Sequence, residues 1–344
     1  MKLVAHTLLI VTIISAALVG GAVLRGISYT KNIPVAQVHE ITMEKESSVE
    51  KEIPKDELVV EESESQPKLE PKIAEEPVVK IESTLNLSSN KVLQGETLII
   101  EAKGTIKNAT LNGNPLTFSD IVGKQIAVIG FDTRATTGEL IFRYTIENGE
   151  ITMPITLAPK QYPVTKIVIP QELMDQGVTT GDLVTSIVQT DNVTLADILK
   201  KRTDFYYFTE PFVEPLDRWI DVGGFGNVRE DQNGAIRHLG VDLDGAIGDP
   251  VYATNRGEIL FAGDLQNYGN SIVIDHGLGI FSIYLHLSKI SAEKGGVVER
   301  GEVIGDVGNT GAYTLEPHLH LGIKIGTNSV NPKNFIETFN KLLN

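Results

Sequence analysis

Histidine is the residue type that carries the chemistry of this chain. Five of its seven histidines lie in the C-terminal part, at His238, His276, His286, His318 and His320. Cysteine is absent, which excludes disulfides, thiol nucleophiles, iron–sulfur clusters and zinc held by thiolates. Any metal site must therefore be built from imidazole and carboxylate groups.

Two histidine segments alternate polar and apolar residues with the period of two that is typical of a strand. In residues 238–242, His238 and Asp242 share one face, with Gly240 between them. In residues 318–325, His318 and His320 lie on the face opposite a row of leucines and isoleucines. Each segment therefore buries an apolar side and presents imidazole on the other.

A third segment, residues 281–287, has the same alternation. We expect Ser282, Tyr284 and His286 on its polar face, opposite a core face of Phe281, Ile283, Leu285 and Leu287. Four imidazoles and one carboxylate then converge on one open sheet face, where Gly240 and Gly322 leave room. His276 follows an apolar run, and we expect it to be a structural residue at the end of a strand.

This combination of groups indicates a catalytic zinc site. Two imidazoles and a carboxylate with an open fourth position are typical of such a site, and zinc there polarises a carbonyl and acidifies a water. The remaining imidazoles are candidates for proton transfer and oxyanion stabilisation. The chain has no His-Glu-x-x-His helix, so histidine has to act as the base.

The C-terminal part resembles the M23 family of zinc metallopeptidases, the LytM or lysostaphin-type peptidoglycan endopeptidases. The resemblance covers residues 212–335 and is carried by motifs in the family's order. They include Phe225-Gly226, His238-x-Gly240-x-Asp242, Tyr268-Gly269-Asn270, Tyr284-x-His286-Leu287-Ser288, Pro317-His318-Leu319-His320 and Asn331-Pro332.

The resemblance implies a role for each matched residue. It implies one Zn²⁺ per chain held by His238, Asp242 and His320, and it implies that His286 and His318 handle the attacking water and the oxyanion. Tyr268 and Asn270 would lie beside the peptide cleft, although Tyr-Gly-Asn is also a good turn sequence. Glu316 and Gly322 depart from the family pattern and alter the cleft wall.

The fold class is mainly all-β. Residues 83–160 contain short alternating runs and the hairpin signals Asn112-Gly113 and Asn148-Gly149, which favour an Ig-like β-sandwich. Residues 161–211 are a mixed connector, in which Thr194 and Asp197 suggest a helix start. Residues 212–338 are expected to form a LytM-type antiparallel β-sheet catalytic domain.

The N-terminal residues predict export. Residues 3–24 contain no charged side chain, which favours a membrane-spanning helix in residues 1–25 over a cleaved signal peptide. Residues 26–82 read as a disordered acidic tether. We expect a single-pass protein of the cell membrane with its C-terminal part outside the cytoplasm, periplasmic or extracellular, or else a protein secreted after signal cleavage.

The leading hypothesis is an exported zinc metalloendopeptidase that cuts peptidoglycan cross-links, with peptidoglycan peptide stems as its partners. The alternative is a catalytically silent LytM-type envelope activator or scaffold, although such relatives typically lose ligands and this chain retains all of them. A third possibility is a tethered binding module that acts through the sandwich. The formal charge of −15 argues against nucleic-acid binding. The bond that is cut, a D-Ala–diamino acid cross-link or a glycine bridge, stays open.

Overall fold

The computed structural model describes residues 84–104, 106–146, 149–201, 203–312 and 316–343. The expected membrane or signal segment (1–25) and the acidic tether (26–82) lie outside the described residues. Within the described ranges, no helix has the length and apolar character needed to span a bilayer. The expected fold class is confirmed, because strands make up most of the regular structure.

The first nine strands form two sheets that pack face to face. Their bounds are β1 Thr84–Leu87, β2 Lys91–Leu93, β3 Thr97–Lys103, β4 Lys107–Leu111, β5 Asn114–Pro115, β6 Ser119–Ile121, β7 Lys124–Gly130, β8 Gly138–Ile146 and β9 Gly149–Ala158. One sheet has the order β1-β3-β7-β6 and the other β2-β9-β8-β4-β5. Apolar side chains of both sheets, such as Ile100 and Phe142, share one core. This part is a β-sandwich, and its Ig-like character stays a prediction.

The strands on either side of both expected turns pair with each other, and residues 147–148 of the second turn lie outside the described residues. Asn112 and Gly113 have φ of +49° and +78° and connect β4 to β5, because these residue types tolerate the left-handed region that a two-residue hairpin turn needs. Strands β8 and β9 pair along their whole length up to Ile146 and Gly149.

The connector holds one short strand and three helices. They are β10 Val164–Lys166, α1 Gln171–Asp175, α2 Thr180–Gln189 and α3 Asp191–Ile198. The expected helix start at Thr194 and Asp197 is wrong, since both residues lie inside α3. The capping box lies earlier in the chain, where Thr179 accepts from the backbone N–H of Asp182 and the Asp182 carboxylate accepts from that of Thr179.

The C-terminal part is built on one large sheet. Its strands are β11 Asp221–Gly223, β12 Val228–Asp231, β13 Gly234–Arg237, β14 Val241–Asp244, β15 Pro250–Tyr252, β16 Gly257–Leu265, β17 Gly269–Gly277, β18 Ile280–Leu287, β19 Lys289–Ile290, β20 Val297–Val298, β21 Val303–Asp306, β22 His318–Ile325 and β23 Asn328–Val330, followed by α4 Pro332–Leu343. The large sheet has the order β11-β14-β22-β18-β17-β16-β20, with β23 beside β22. A small sheet, β15-β21-β19, packs on one of its faces.

The opposite face of the large sheet carries the histidines and is partly covered by the connector. Leu195 of α3 packs with Phe281, Ile283 and Leu285 of β18. The sandwich joins the same body at the other end, because Ile99 and Ile126 share a core with Phe335 and Phe339 of α4. The connector and the sandwich therefore both pack against the part of the chain that bears the site.

Candidate functional site

Strand pairing places the first two histidine segments side by side. Strands β14 and β22 run antiparallel with Asp242 opposite His320 and Asp244 opposite His318. Directly opposed residues in such a pair point to the same face, so the Asp242 carboxylate and the His320 imidazole meet. His238 precedes β14, and its backbone is held by hydrogen bonds to Gly226 and Asn227. His238, Asp242, His318 and His320 lie on the expected face, but residues 238–240 precede the strand, and Leu239 lines the cavity where alternation predicts a core position.

Three ligand-type atoms converge on one point. Nε2 of His238, Oδ1 of Asp242 and Nδ1 of His320 lie 2.9 Å from one another in each of the three pairs. Among the described residues, this is the one group of at least three His, Cys, Asp or Glu side chains with the spacing of a metal site. Atoms this close can all lie at the distance of about 2.0–2.2 Å that zinc requires of nitrogen and oxygen ligands.

The protonation states also fit a cation. Burial raises the pKa of Asp242, but the neighbouring His238 and His320 outweigh it and hold the pKa well below its usual range. Burial lowers the pKa of His320 to about 4, against the opposing effect of its hydrogen bond to Asp242. An ionised carboxylate beside a neutral imidazole is the form that binds a metal.

Backbone carbonyls fix the orientation of the imidazoles. Nδ1 of His238 donates to the carbonyl oxygen of Gly224 at 3.0 Å. A carbonyl only accepts, so the proton of this ring lies on Nδ1 and its Nε2 keeps the lone pair that faces Asp242 and His320. Outer contacts of this kind orient metal ligands.

Arg229 orients the carboxylate in the same way. Its Nη2 donates to Oδ2 of Asp242 at 2.8 Å, while Oδ1 faces the two imidazoles. We expect Arg229→Met to weaken Zn²⁺ binding by about 10- to 100-fold, because the carboxylate is then free to rotate. Competition with a chromogenic chelator measures the affinity, with Arg218→Met as an exposed-arginine control. Equal affinity in wild type and Arg229→Met would contradict this role.

His286 reaches the site by a route that alternation does not predict. Leu285 lies opposite His320, and Tyr284 is buried with Leu321 on the other side of the sheet. The expected polar face of Ser282, Tyr284 and His286 is therefore wrong: Ile283 and Leu285 face the cavity, and Tyr284 is in the core.

A β-bulge produces the difference. Two residue steps on β17, from Asn270 to Ile272, span three on β18, from Leu287 to Tyr284. His286 has φ of +68°, a conformation that few non-glycine residues adopt. A bulge redirects one side chain, and here it brings the imidazole of His286 to the face that carries His320.

His286 and His318 form a second pair of rings beside the three ligand-type atoms. Their ring centroids are 5.0 Å apart, and Nε2 of His318 lies 3.6 Å from Oδ1 of Asp242. Nδ1 of His286 donates to the carbonyl of Thr310, and Nδ1 of His318 to that of Glu316. In its neutral form each ring therefore carries its proton on Nδ1 and its lone pair on Nε2. Burial lowers the pKa of His286 to about 3, with His320 and His318 contributing, so its ring is neutral at pH 7.

The two residues expected beside the cleft differ in placement. Tyr268 lines the cavity, and its hydroxyl donates to Oδ1 of Asn192 at 3.0 Å. Asn270 is not among the cavity-lining residues, and its backbone N–H donates to Oγ1 of Thr310. Asp191 accepts the backbone N–H of Tyr268, so the connector holds this loop. Substrate binding by Tyr268 and Asn270 stays a prediction.

A cavity of about 530 Å³ opens over the histidines. Its floor is the large sheet, and its other walls come from the hairpin of β12 and β13 and from the connector. Sequence reasoning missed Arg229, the three ring-orienting carbonyls of Gly224, Thr310 and Glu316, and the connector's position over the cleft. Every residue has a backbone carbonyl, so the sequence does not mark the ones that accept from a histidine. Arg229 lies outside the alternating segments.

His276 is a buried structural residue, as expected. Its Nδ1 donates to the carbonyl of Arg256 at 2.9 Å, and its Nε2 accepts from the hydroxyl of Ser282 at 2.8 Å. Burial lowers its pKa to about 4. Between pH about 6.5 and 4 the unfolded chain takes up a proton that the folded chain does not, so stability falls as the pH falls through this window.

We therefore expect His276→Gln to be less stable than wild type at pH 7, with a gap that narrows as the pH falls to 4. For a pKa shift of this size, the difference in unfolding free energy between wild type and His276→Gln should shrink by about 3 kcal/mol between pH 7 and 4. Urea unfolding at pH 7, 5.5 and 4 measures the gap. Because all other titrating groups are common to both chains, a gap that stays constant with pH would contradict the assignment.

Comparison with known proteins finds similarity in the same part of the chain that holds the site. The family model described as Peptidase family M23 matches residues 236–332. The DD-carboxypeptidase/endopeptidase Mpg of Neisseria meningitidis serogroup B (strain ATCC 13091 / M2091) is 44% identical over 95 residues, which are 28% of this chain and 22% of that protein. The peptidoglycan DD-endopeptidase ShyA of Vibrio cholerae serotype O1 is 43% identical over 94 residues, covering 27% and 22%.

Two further similarities extend this result. The lipoprotein NlpD of Yersinia enterocolitica is 34% identical over 96 residues, which are 28% of this chain and 97% of that sequence. The crystal structure of a putative peptidase M23 from Pseudomonas aeruginosa has a TM-score of 0.51 at 22% identity and covers 72% of this chain and 96% of that chain. This last similarity shows a shared fold. The chain spans only 22% of the length of the Mpg and ShyA proteins that it matches.

Proposed function

Because the chain belongs to peptidase family M23, we propose that it is an exported zinc metalloendopeptidase that hydrolyses peptide bonds in peptidoglycan cross-links. The observation that carries the proposal is the placement of His286 and His318 beside the three ligand-type atoms of His238, Asp242 and His320. A metal-binding site needs no second pair of oriented imidazoles, whereas hydrolysis needs groups that transfer protons.

In this proposal His238, Asp242 and His320 hold one Zn²⁺ per chain. Zinc supplies a Lewis acid that polarises the scissile carbonyl and makes a water acidic enough to attack. Nε2 of His286 or His318 accepts the proton of the attacking water. The imidazolium formed in this way donates its Nε2–H to the developing oxyanion and finally gives that proton to the leaving amine, while Nε2 of the other ring accepts a hydrogen bond that orients the water.

The names of the relatives indicate which kind of peptidoglycan cross-link is cut. ShyA is a peptidoglycan DD-endopeptidase, and Mpg is a DD-carboxypeptidase/endopeptidase. We therefore propose that this chain cuts the D-Ala–diamino acid cross-link between peptide stems rather than a glycine bridge. Its location is a proposal too: residues 1–25 anchor it in the cell membrane with the C-terminal part outside the cytoplasm, or are removed on secretion.

Digestion of defined peptidoglycans by the full chain tests this proposal. One preparation carries direct D-Ala–diamino acid cross-links and the other glycine bridges, and mass spectrometry identifies the released ends. We expect one zinc per chain and cleavage of the direct cross-link, with both lost in His320→Ala. If His320→Ala keeps zinc and cleavage unchanged, the assignment is wrong.

A second candidate function is that of a catalytically silent envelope activator or scaffold. Two observations favour it: NlpD, which matches over nearly its whole length, is named as a lipoprotein, and the connector covers part of the cleft. The same digestion separates the two candidates. Full zinc occupancy with no cleavage of either peptidoglycan would favour the silent protein.

A further inference from the structure

Strand β22 lays a row of side chains along the floor of the cavity. His318, His320, Gly322 and Lys324 alternate with core residues and line the same cavity. Lys324 is four residues beyond His320, which places its Cα about 13 Å further along the strand. The row therefore runs from the metal site to a cation.

Lys324 is a mostly buried cation that lacks an ion-pair partner among the described residues. Its Nζ donates to the hydroxyl of Ser329 at 2.8 Å, and none of the salt bridges between described residues includes it. Burial lowers its pKa, and the carboxylate of Asp132 opposes this only from beyond ion-pair distance. Buried lysines are normally paired, so an ammonium that lines a cavity is a site for an anion.

The path between the metal site and Lys324 is open. A Cβ built on Gly322 would meet only Ile283 at 3.5 Å and the carbonyl of Leu239 at 3.8 Å, which are ordinary contacts. Ile236, Leu239 and Ile283 line the cavity here. A peptide chain can therefore pass over Gly322 between apolar walls.

The other charges of the cavity support an anionic ligand. Among the described residues that line it, the acidic ones are Asp242 and Glu316, against Lys166, Arg229, Arg237 and Lys324. Arg229 is bonded to Asp242, and Arg237 to the carbonyl of Gly226. This balance contrasts with the net charge of −15 of the whole chain, and it leaves Lys324 as the buried cation available to a ligand.

We propose that Lys324 binds a carboxylate of the peptide stem that lies in the cleft, and that the protein thereby prefers stems with a free carboxyl group over stems in which that group is amidated. This specificity rests on the proposed function. The carboxyl group belongs to the γ-linked glutamate or to a carboxylated diamino acid. Both are ionised at neutral pH, and amidation removes the charge while keeping the size.

A matched pair of substrates tests the proposal on the full, zinc-loaded chain. The probes are cross-linked tetrapeptide dimers with a free or an amidated carboxyl group at the glutamate, and a second pair differing at the diamino acid. We expect wild type to favour the free form of one pair by about 10- to 100-fold in kcat/KM, the range of a hydrogen-bonded charge pair. Calorimetry measures binding of the same dimers.

Three variants complete the test. Lys324→Met keeps most of the unbranched apolar stem without the charge, and we expect it to cleave the free and amidated forms within about threefold of each other. Lys324→Arg should retain part of the preference, and Lys333→Met, on the exposed face of α4, all of it. Zinc content and circular dichroism check that each variant is folded.

Two results overturn the proposal: equal cleavage and binding of free and amidated dimers by wild type, or an undiminished preference in Lys324→Met. Failure of the proposed function has a different signature. The zinc-loaded wild type would then cleave none of the dimers, and the calorimetric preference alone would decide whether Lys324 binds the carboxylate.

Discussion

Replacing His286 or His318 by alanine should leave the metal in place and remove most of the activity. Neither residue contributes to the three atoms that lie 2.9 Å apart, so each variant should still hold one zinc per chain. Each loses one of the two imidazoles that exchange protons with water and substrate, a contribution of about 10²- to 10⁴-fold in kcat. Zinc content by atomic absorption and cleavage of a cross-linked dimer measure the two effects separately.

The matched control is His276→Ala, which removes a histidine that is buried away from the cavity. It should lower stability and leave the kcat of the folded fraction within about threefold of wild type. If His286→Ala and His318→Ala also stay near wild-type kcat, the two rings are not part of the reaction. A loss of zinc in both variants would instead place them among the ligands.

The backbone conformation of His286 predicts different stabilities for His286→Gly and His286→Ala, two variants that both lack the imidazole ring. At φ of +68°, alanine keeps the backbone strain that glycine relieves, so His286→Gly should be more stable than His286→Ala by about 1 kcal/mol. Thermal unfolding measures the difference. Equal stability would mean that the bulge relaxes when the ring is removed.

The two segments that sequence predicts correctly are those in regular pairing. Strands β14 and β22 keep alternation without a break, so Asp242, His318 and His320 reach one face as expected, and His238 joins them from the segment before β14. Strand β18 contains a bulge, and residues before it are shifted by one relative to the alternation read from its sequence. The error at Tyr284 follows from this, because its ring is amphipathic and is as compatible with a core as with a cleft. His286 still reaches the expected face, because the bulge turns its side chain away from the side on which Tyr284 lies.

The parts of the site that could not be predicted depend on tertiary contacts. Arg229 reaches Asp242 only because the hairpin of β12 and β13 folds beside β14. The connector covers the cleft because the carboxylate of Asp191, at the start of α3, accepts the backbone N–H groups of Asn267 and Tyr268. No local pattern in residues 161–211 indicates that contact. Lys324 follows the strand alternation, but its burial and its missing ion pair are properties of the assembled cavity.

Gly240→Ala should destroy the metal site through a single added methyl group. A Cβ at this position would lie 2.4 Å from Nε2 of His320 and 2.5 Å from the carbonyl oxygen of Leu321. Since the carbonyl belongs to β22 itself, the strand and the ring cannot both keep their places. We expect zinc affinity to fall by at least about 100-fold, because a displaced ligand costs more than a lost outer contact, together with a loss of stability of about 1–3 kcal/mol from overpacking.

Gly322→Ala is the control for this variant, since it adds the same methyl group to the same cavity floor. Its Cβ meets Ile283 at 3.5 Å, an ordinary contact, so zinc affinity and stability should stay close to those of wild type. Zinc titration below the unfolding temperature of each variant compares the two. If Gly240→Ala binds zinc as tightly as Gly322→Ala, the ring of His320 is not confined as the structure places it. The convergence of His238, Asp242 and His320 would then not depend on the missing side chain at position 240.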